Sequence, residues 1–253
     1  MGKELVKVVV PLYKPELGDD ERLSLSHNAE VLRRYPHVFL VPKGMPTDAV
    51  LRGGVLPDGL DATVTEVGSE WLGRENGIAG YNRKCLSREF YDMFADCDYI
   101  LICQTDAWVF RDELAEWCAR GYDCIGGVWW RRGVWSLPVI RLFFPKNRKL
   151  YGRVGNGGFS LRRVESFRRA CGELRDRAEF YLKQTHHIYS EDIFWAVEPK
   201  DFVYPPMKVA TEFSFDNHPD RCERLIGTGN LPFGCHGWSK PARRWYWEKY
   251  IHR

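Results

Sequence analysis

Two short apolar runs restrict what this chain can fold into. Residues 6–12 and 99–103 are near-continuously apolar, and each stops at a polar turn: Tyr13-Lys14-Pro15 after the first, Gln104-Thr105-Asp106 after the second. A strand that lacks in–out alternation must be covered on both faces, the condition of a parallel strand inside an α/β layer. Residues 38–41 and 62–67 read as two further strands. Helix-like stretches separate them. Asp19 and Asp20 are placed to cap a helix with Leu23, Ala29, Val31 and Leu32 on its inner side, stopped by Pro36. Residues 77–94 carry a helical stripe through Tyr81, Cys85, Leu86, Phe90 and Phe94. This alternation predicts an α/β fold: a Rossmann-like, mostly parallel central sheet flanked by helices.

The second half reads differently. Residues 129–150 are rich in Arg and aromatics without a clean period, which predicts an irregular segment or a strand pair near a binding surface. Residues 153–161 contain Gly155-Asn156-Gly157-Gly158 and then the start of a strand. Residues 165–183 read as one helix, and residues 191–197 as a short helix after a capping Ser190. With 253 residues, 44% of them hydrophobic and a net charge of only +3, the chain suits one core. The expectation is a single domain over 1–253, with a ligand-binding half at 1–128 and a second half at 129–253. The charge balance argues against a nucleic-acid binder. No stretch approaches the roughly 20 apolar residues that span a bilayer. The first twelve residues lack a small-residue cleavage site and are not expected to be a signal peptide. Eight cysteines show no CxxC pair and sit in apolar runs, so buried reduced thiols and a cytoplasmic location are expected.

Four short motifs carry possible chemistry. Ligands of open parallel sheets bind outside the carboxyl ends of strands, so Asp106, after the run at 99–103, is placed to hold a divalent cation on phosphate oxygens; the plainer role is a helix cap. Gly155-Asn156-Gly157-Gly158 lets a ligand approach the backbone closely, or makes a bulge or turn. Glu191 and Asp192 point about 100° apart on a helix, so one can activate a hydroxyl while the other binds; acids also simply favour a first helical turn. His236, between Cys235 and Gly237, suits a metal ligand, a phosphate contact or a structural histidine. The adjacent pair His186 and His187 is set aside, since neighbours rarely converge on one ion.

Taken in order, VVVPLYKP, YILICQTDAW, VGNGGFSLR, SEDIFW and PFGCHGW make the chain resemble the GT-A superfamily of sugar-nucleotide-dependent glycosyltransferases. More closely, it is similar to an uncharacterised family of bacterial and fungal GT-A-like proteins. The resemblance implies a GT-A-like sheet with a smaller mixed sheet on the acceptor side. It also implies transfer of a sugar, from a UDP-sugar or related donor, to a glycan or lipid-linked glycan in polysaccharide biosynthesis. In that superfamily the acidic motif is usually Asp-x-Asp on manganese or magnesium; here Gln104 replaces the first acid. The resemblance makes Asp106 and His236 the metal ligands and Asp192 the base of an inverting displacement, with Glu191 orienting the acceptor. Asn156, Gly157, Gly158, Trp195 and Trp238 would line the sugar and acceptor. Pro11, Tyr13, Lys14, Tyr81, Asn82, Lys84, Gln104, Thr105 and Asp106 would hold the donor.

Two other readings stand beside it. A nucleotidyltransferase also uses an α/β sheet and acidic residues, but residues 11–15 lack the glycine-rich loop such enzymes place after the first strand. A non-catalytic carbohydrate-binding protein on the same fold is permitted by the missing acid. The basic, aromatic segment 240–250 is expected to pack its tryptophans on the core, or else to touch an anionic membrane surface as a peripheral contact.

Overall fold

The computed structural model describes residues 2–51, 53–72, 75–130 and 150–252. Its strands are β1 (Glu4–Pro11), β2 (His37–Pro42), β3 (Ala62–Val67), β4 (Cys97–Cys103), β5 (Ala107–Val109), β6 (Cys124–Gly126), β7 (Phe159–Arg163), β8 (Ser214–Phe215) and β9 (Gly234–His236). Six of them form the central sheet in the order β3-β2-β1-β4-β7-β6. The first four strands of that order run parallel, and β7 is antiparallel to both β4 and β6. The remaining three make a mixed sheet, β5-β9-β8, antiparallel at one junction and parallel at the other.

The two apolar runs are neighbours, β1 against β4, with Val8 opposite Leu101 and Val9 opposite Ile102. Successive residues go to opposite faces, and both faces are covered. Val8, Val10, Phe39 and Leu101 join one apolar cluster, and Val9, Val38, Ile100 and Ile102 join the other. Two-sided burial is why these strands cannot alternate with polar residues. Each such side chain contributes about 1.5–3 kcal/mol when removed from water. The chain leaves β1 on one side for β2 and returns on the other side as β4. That reversal opens a crevice at the carboxyl ends of β1 and β4, where α/β sheets bind ligands.

The helices differ in detail from the sequence expectation. The first, α1 (Asp19–Val31), is capped at Gly18 rather than by Asp19 or Asp20, which lie in its first turn. Glu21 accepts the Gly18 N–H at 2.8 Å. Of its expected inner side Ala29 and Leu32 are buried and Leu23 and Val31 are partly buried against the core, and Ser24, Leu25 and Asn28 are buried beside them. Polar Asn28 is tolerated inside because its amide donates to the Ala107 carbonyl at 2.9 Å and accepts from the Val109 N–H at 2.8 Å, fastening β5 to the helix. A short turn, α2 (Asp48–Leu51), follows. The stripe at 77–94 is two helices, α3 (Gly77–Cys85) and α4 (Arg88–Asp92), because Ser87 accepts the Phe90 N–H and starts a new one. Next comes α5 (Leu114–Ala119). The expected helix at 165–183 is also two, α6 (Val164–Glu173) and α7 (Arg175–Leu182), which meet at Leu174. The last four are α8 (Glu191–Val197), α9 (Met207–Phe213), α10 (Pro219–Ile226) and α11 (Pro241–Trp247).

Of the segment 129–150, residues 131–149 lie outside the described residues. Its ends are joined: Trp129 donates to the Arg153 carbonyl at 2.9 Å, and Gly152 donates back to Trp129 at 3.0 Å. All eight cysteines are free and buried. In the C-terminal segment Tyr246 and Trp247 are buried, Tyr250 is partly buried against the same cluster and Trp245 is exposed, so the packing role accounts for three of the four aromatics.

Candidate functional site

The crevice between the ends of β1 and β4 holds a cavity of about 470 Å³, lined by Pro11, Tyr13, Glu21, Leu72, Gly77, Ile78, Tyr81, Gln104, Thr105, Asp106 and Lys240. Its size and its mixture of apolar walls with a few polar groups are those of a small-molecule site. Six of the nine residues assigned to a donor from sequence are on that wall. Lys14 stands beside it, its ammonium 2.6 Å from Glu21 Oε2.

The fold assembles the rest by strand pairing. Asp106 is followed by β5 rather than by a helix, so it caps nothing. Ala107 pairs with His236 across β5 and β9, which sets the imidazole beside the carboxylate, and Gly237 N–H donates to the Asp106 carbonyl at 2.9 Å. Pairing of β8 with β9 brings in Asp216, immediately after Phe215. His236 Nε2 then lies 3.2 Å from Asp106 Oδ1 and 3.2 Å from Gln104 Oε1, while Nδ1 faces Asp216 Oδ1 at 3.2 Å. Asp216 is fixed from behind by Arg243 at 3.0 Å and by the Asn156 amide at 2.6 Å. Lys240 Nζ closes the cluster, 2.9 Å from Asp106 Oδ2.

Charge balance sets the protonation here. Burial of His236 opposes a positive ring, but Asp106 and Asp216 outweigh it and raise its pKa to about 9. Burial likewise opposes charge on Asp106. His236 first and Lys240 next overcome that penalty and hold the carboxyl well below the usual range. Asp216 is also lowered: burial works against it, and His236 and Arg243 reverse the sign.

The glycine-rich segment supplies proximity. Its strand β7 pairs with β4, and Gln104 N–H donates to the Gly158 carbonyl at 3.0 Å. A Cβ on Gly158 would fall 2.1 Å from His236 Nε2, and one on Gly157 would fall 2.4 Å from Glu191 Oε1 and 3.1 Å from Asp192 Cβ. These two positions must lack side chains because the histidine motif and the Glu-Asp motif both close on them. Asp192 is partly exposed. Its Oδ1 accepts from the Ser190 hydroxyl and from the Ile193 N–H. Burial raises its pKa, and those two hydrogen bonds offset part of the rise.

Several sequence assignments end up elsewhere. Glu191 is 3% exposed, with Arg162 Nη2 3.1 Å from both its oxygens, so it cannot orient an acceptor. Trp195 is fully buried among Tyr91, Phe167 and Phe202, and its indole donates to the Cys85 carbonyl. Trp238 packs edge-on to Trp108 and donates to Ser24 at 2.7 Å. Both are packing residues rather than sugar platforms. Lys84 is buried, paired with Glu89 at 3.2 Å and lying over the Trp71 ring, and it is not on the cavity wall. Asn82 accepts the Glu191 N–H at 3.4 Å and steadies the start of α8. Asp216, Lys240, Glu21 and Arg162 were not singled out from sequence. Lys240 stood in a basic run and Arg162 closed the motif VGNGGFSLR, but neither was given a role.

The donor set is poor for a divalent cation. It comprises one carboxylate, one imidazole and one amide oxygen, and the second oxygen of Asp106 already carries an ammonium. Among the described residues no group of three His, Cys, Asp or Glu side chains could hold a metal ion. Magnesium-class ions at a diphosphate need only one or two carboxylates beside phosphate oxygens and water, but the one carboxylate here is engaged on both oxygens, by His236 at 3.2 Å and by Lys240 at 2.9 Å. The residues therefore do not fit a resident manganese or magnesium ion.

Similar solved structures share this fold at low identity. The galactosyltransferase LgtC, in complex with donor and acceptor sugar analogues, aligns with a TM-score of 0.56 at 16% identity, over 95% of this chain and 89% of that one. Mouse xyloside xylosyltransferase 1 in its apo form gives 0.55 at 14%, over 92% and 97%. Core-mannan synthase A from Aspergillus fumigatus, in a Mn/GDP form, gives 0.52 at 10%, over 76% and 69%. No curated protein sequence matches the chain. Residues 62–236, from β3 through β9, match a family model whose description reads "Protein of unknown function (DUF5672)", and the chain belongs to that family.

Proposed function

We propose that the protein is a glycosyltransferase that moves a sugar from a UDP-sugar to a hydroxyl of a glycan or lipid-linked glycan, with inversion. One observation carries this reading. A cavity of about 470 Å³ at the carboxyl ends of β1 and β4 borders the Asp106–His236–Lys240 cluster, and Gly157 and Gly158 join that cluster to Asp192. The solved structures that share the fold are glycosyltransferases, which supports the same reaction class.

In this mechanism the acceptor oxygen attacks the anomeric carbon of the donor. The carbon–oxygen bond to the β-phosphate breaks, and its electron pair leaves on the nucleoside diphosphate. Asp192 Oδ takes the acceptor proton. A carboxylate raised in pKa by burial is a stronger base than an exposed one, which suits this task. Pro11, Tyr13, Tyr81, Gln104 and Thr105 hold the donor against the sheet edge, and the positive groups beside Asp106 face the leaving diphosphate.

A panel of sugar nucleotides, assayed for free UDP or GDP with and without oligosaccharide acceptors, tests the reading. The expected result is diphosphate release that one UDP-sugar supports and an acceptor accelerates, with a product of opposite anomeric configuration by NMR. Glycan binding without any nucleotide release or nucleotide-induced rise in melting temperature would instead identify a carbohydrate-binding protein.

A further inference from the structure

The Asp106 cluster contains its own cation. In the chain's Gln104-Thr105-Asp106 turn a neutral amide stands at the first position, so only one carboxylate faces the cavity from β4. That carboxylate is engaged on both oxygens, by His236 at 3.2 Å and by Lys240 Nζ at 2.9 Å. Lys240 comes from a different element, the residue before α11, and Pro241 at the start of that helix fixes the turn that delivers it. Its side chain is half exposed and lines the cavity. An ammonium carries three donors, of which Asp106 Oδ2 takes one. Asp106 is itself held from the other side by His236, whose second nitrogen is fixed by Asp216 and, through it, by Arg243. The lysine therefore rests on a carboxylate that cannot turn away, at the lip of the space a ligand would enter.

Resting on the glycosyltransferase reading, we infer that donor binding needs no divalent cation: Lys240 supplies the positive charge that holds the nucleoside diphosphate and stabilises it as it leaves. Asp106 anchors that ammonium at the mouth of the cavity. The neutral amide at position 104 and the lysine on Asp106 are then two halves of one arrangement. An acid at position 104 would add negative charge where the diphosphate must sit, with no metal to offset it. The lysine would be redundant, and repelled, if a metal occupied its place.

Calorimetric titration of UDP and of GDP into the full chain separates the possibilities, run once in EDTA and once in excess Mn2+. The expected result is that at least one diphosphate binds in EDTA, with a Kd within about twofold of that in Mn2+. Titration of Mn2+ alone should give no heat of binding. Lys240→Met should weaken diphosphate binding by about tenfold to a hundredfold, the ordinary loss of a hydrogen bond to a charged group. Lys240→Arg, which keeps the charge, should recover most of it. Because Lys240 is half exposed, the melting temperature of both variants should match the parent. Binding that appears only with Mn2+, or tightens more than tenfold with it, overturns the inference and leaves the glycosyltransferase reading intact. Metal-free binding that Lys240→Met leaves unchanged overturns the role of Lys240. Failure of both diphosphates to bind in either buffer removes the glycosyltransferase reading, and this inference with it.

Discussion

Two carboxylate–cation pairs lie on either side of the glycine-rich segment, and they differ in nearly everything but chemistry. Glu191 and Arg162 are sealed, at 4% and 1% side-chain exposure, and Arg162 also donates to Ser160 and Tyr91. Asp106 and Lys240 are open, at 22% and 50%. A sealed pair cannot meet a ligand, and its worth lies in what it holds still. It ties β7 to α4 and to the start of α8, and so fixes the residue next in sequence, Asp192. An open pair contributes little to folding because water screens it, yet it keeps a charge available to an incoming diphosphate. The contrast separates positioning from binding within one site.

The largest effect should come from breaking the sealed pair. Arg162→Met leaves Glu191 buried without a partner, a change that costs about 3–5 kcal/mol. For a domain of this size that lowers the melting temperature by roughly 10 °C. Adding Glu191→Leu to the same chain removes the orphaned charge and should restore much of the stability, although Asp192 would then be less well placed. Thermal unfolding followed by circular dichroism reads both. An Arg162→Met protein as stable as its parent would erase the distinction between the two pairs.

Next comes the residue that the sealed pair positions. Asp192→Asn keeps the size of the side chain and its Ile193 contact but removes the basic oxygen. Turnover should fall about 10²–10⁴-fold while the affinity for donor changes little, since the base acts on the acceptor. Glu191→Gln should act mainly through stability, with the KM for acceptor close to the parent. If Glu191→Gln abolishes turnover in a folded protein and Asp192→Asn does not, the roles of the two acids are reversed.

These differences also mark what the sequence could and could not show. The parallel core was legible because burial on both faces leaves no freedom in composition: the runs at 6–12 and 99–103 had to be β1 and β4. Helix breaks at Ser87 and Leu174 were not, because one capping hydroxyl or one turn of backbone leaves the hydrophobic stripe intact. Within the site, Asp106, Gly157, Gly158 and His236 stood out because their neighbours are unusual. Asp216 did not, and Arg162 closed a quoted motif without being given a role, since a lone acid after a two-residue strand and an arginine inside a strand have no local signature. Their partners lie 20 and 29 positions away and meet them only through the fold. Trp195 and Trp238 misled for the opposite reason. Tryptophan next to a motif looks the same whether it stacks on a sugar or fills a core.

The smallest of the three effects concerns pH, and it tells the open cluster from the sealed pair without any ligand. His236 has a folded pKa of about 9, against an ordinary value near 6.5 in the unfolded chain. A group whose pKa is raised on folding gives stability that is fully present below the unfolded value and is lost as pH rises through the folded one. The window is therefore about pH 6.5 to 9, and the loss is of order 1–3 kcal/mol. Arg162 keeps its charge throughout that range. Burial holds Cys97, Cys103, Cys118, Cys124, Cys171 and Cys222 at about 12 and Cys85 and Cys235 higher than an ordinary thiol; thiols that ionise only in the unfolded chain add their own loss of stability from about pH 8 upward, so the histidine is read below that. Urea unfolding at a series of pH values should show stability falling from about pH 6.5 to 8, the part of the window that the histidine alone controls. His236→Asn should flatten that slope while leaving the Arg162→Met penalty unchanged, because the two clusters share no charged member. A parent protein whose stability is level from about pH 6.5 to 8 would mean that His236 is neutral beside Asp106 and Asp216, and the open cluster would then hold two positive charges, those of Lys240 and Arg243, against its two acids.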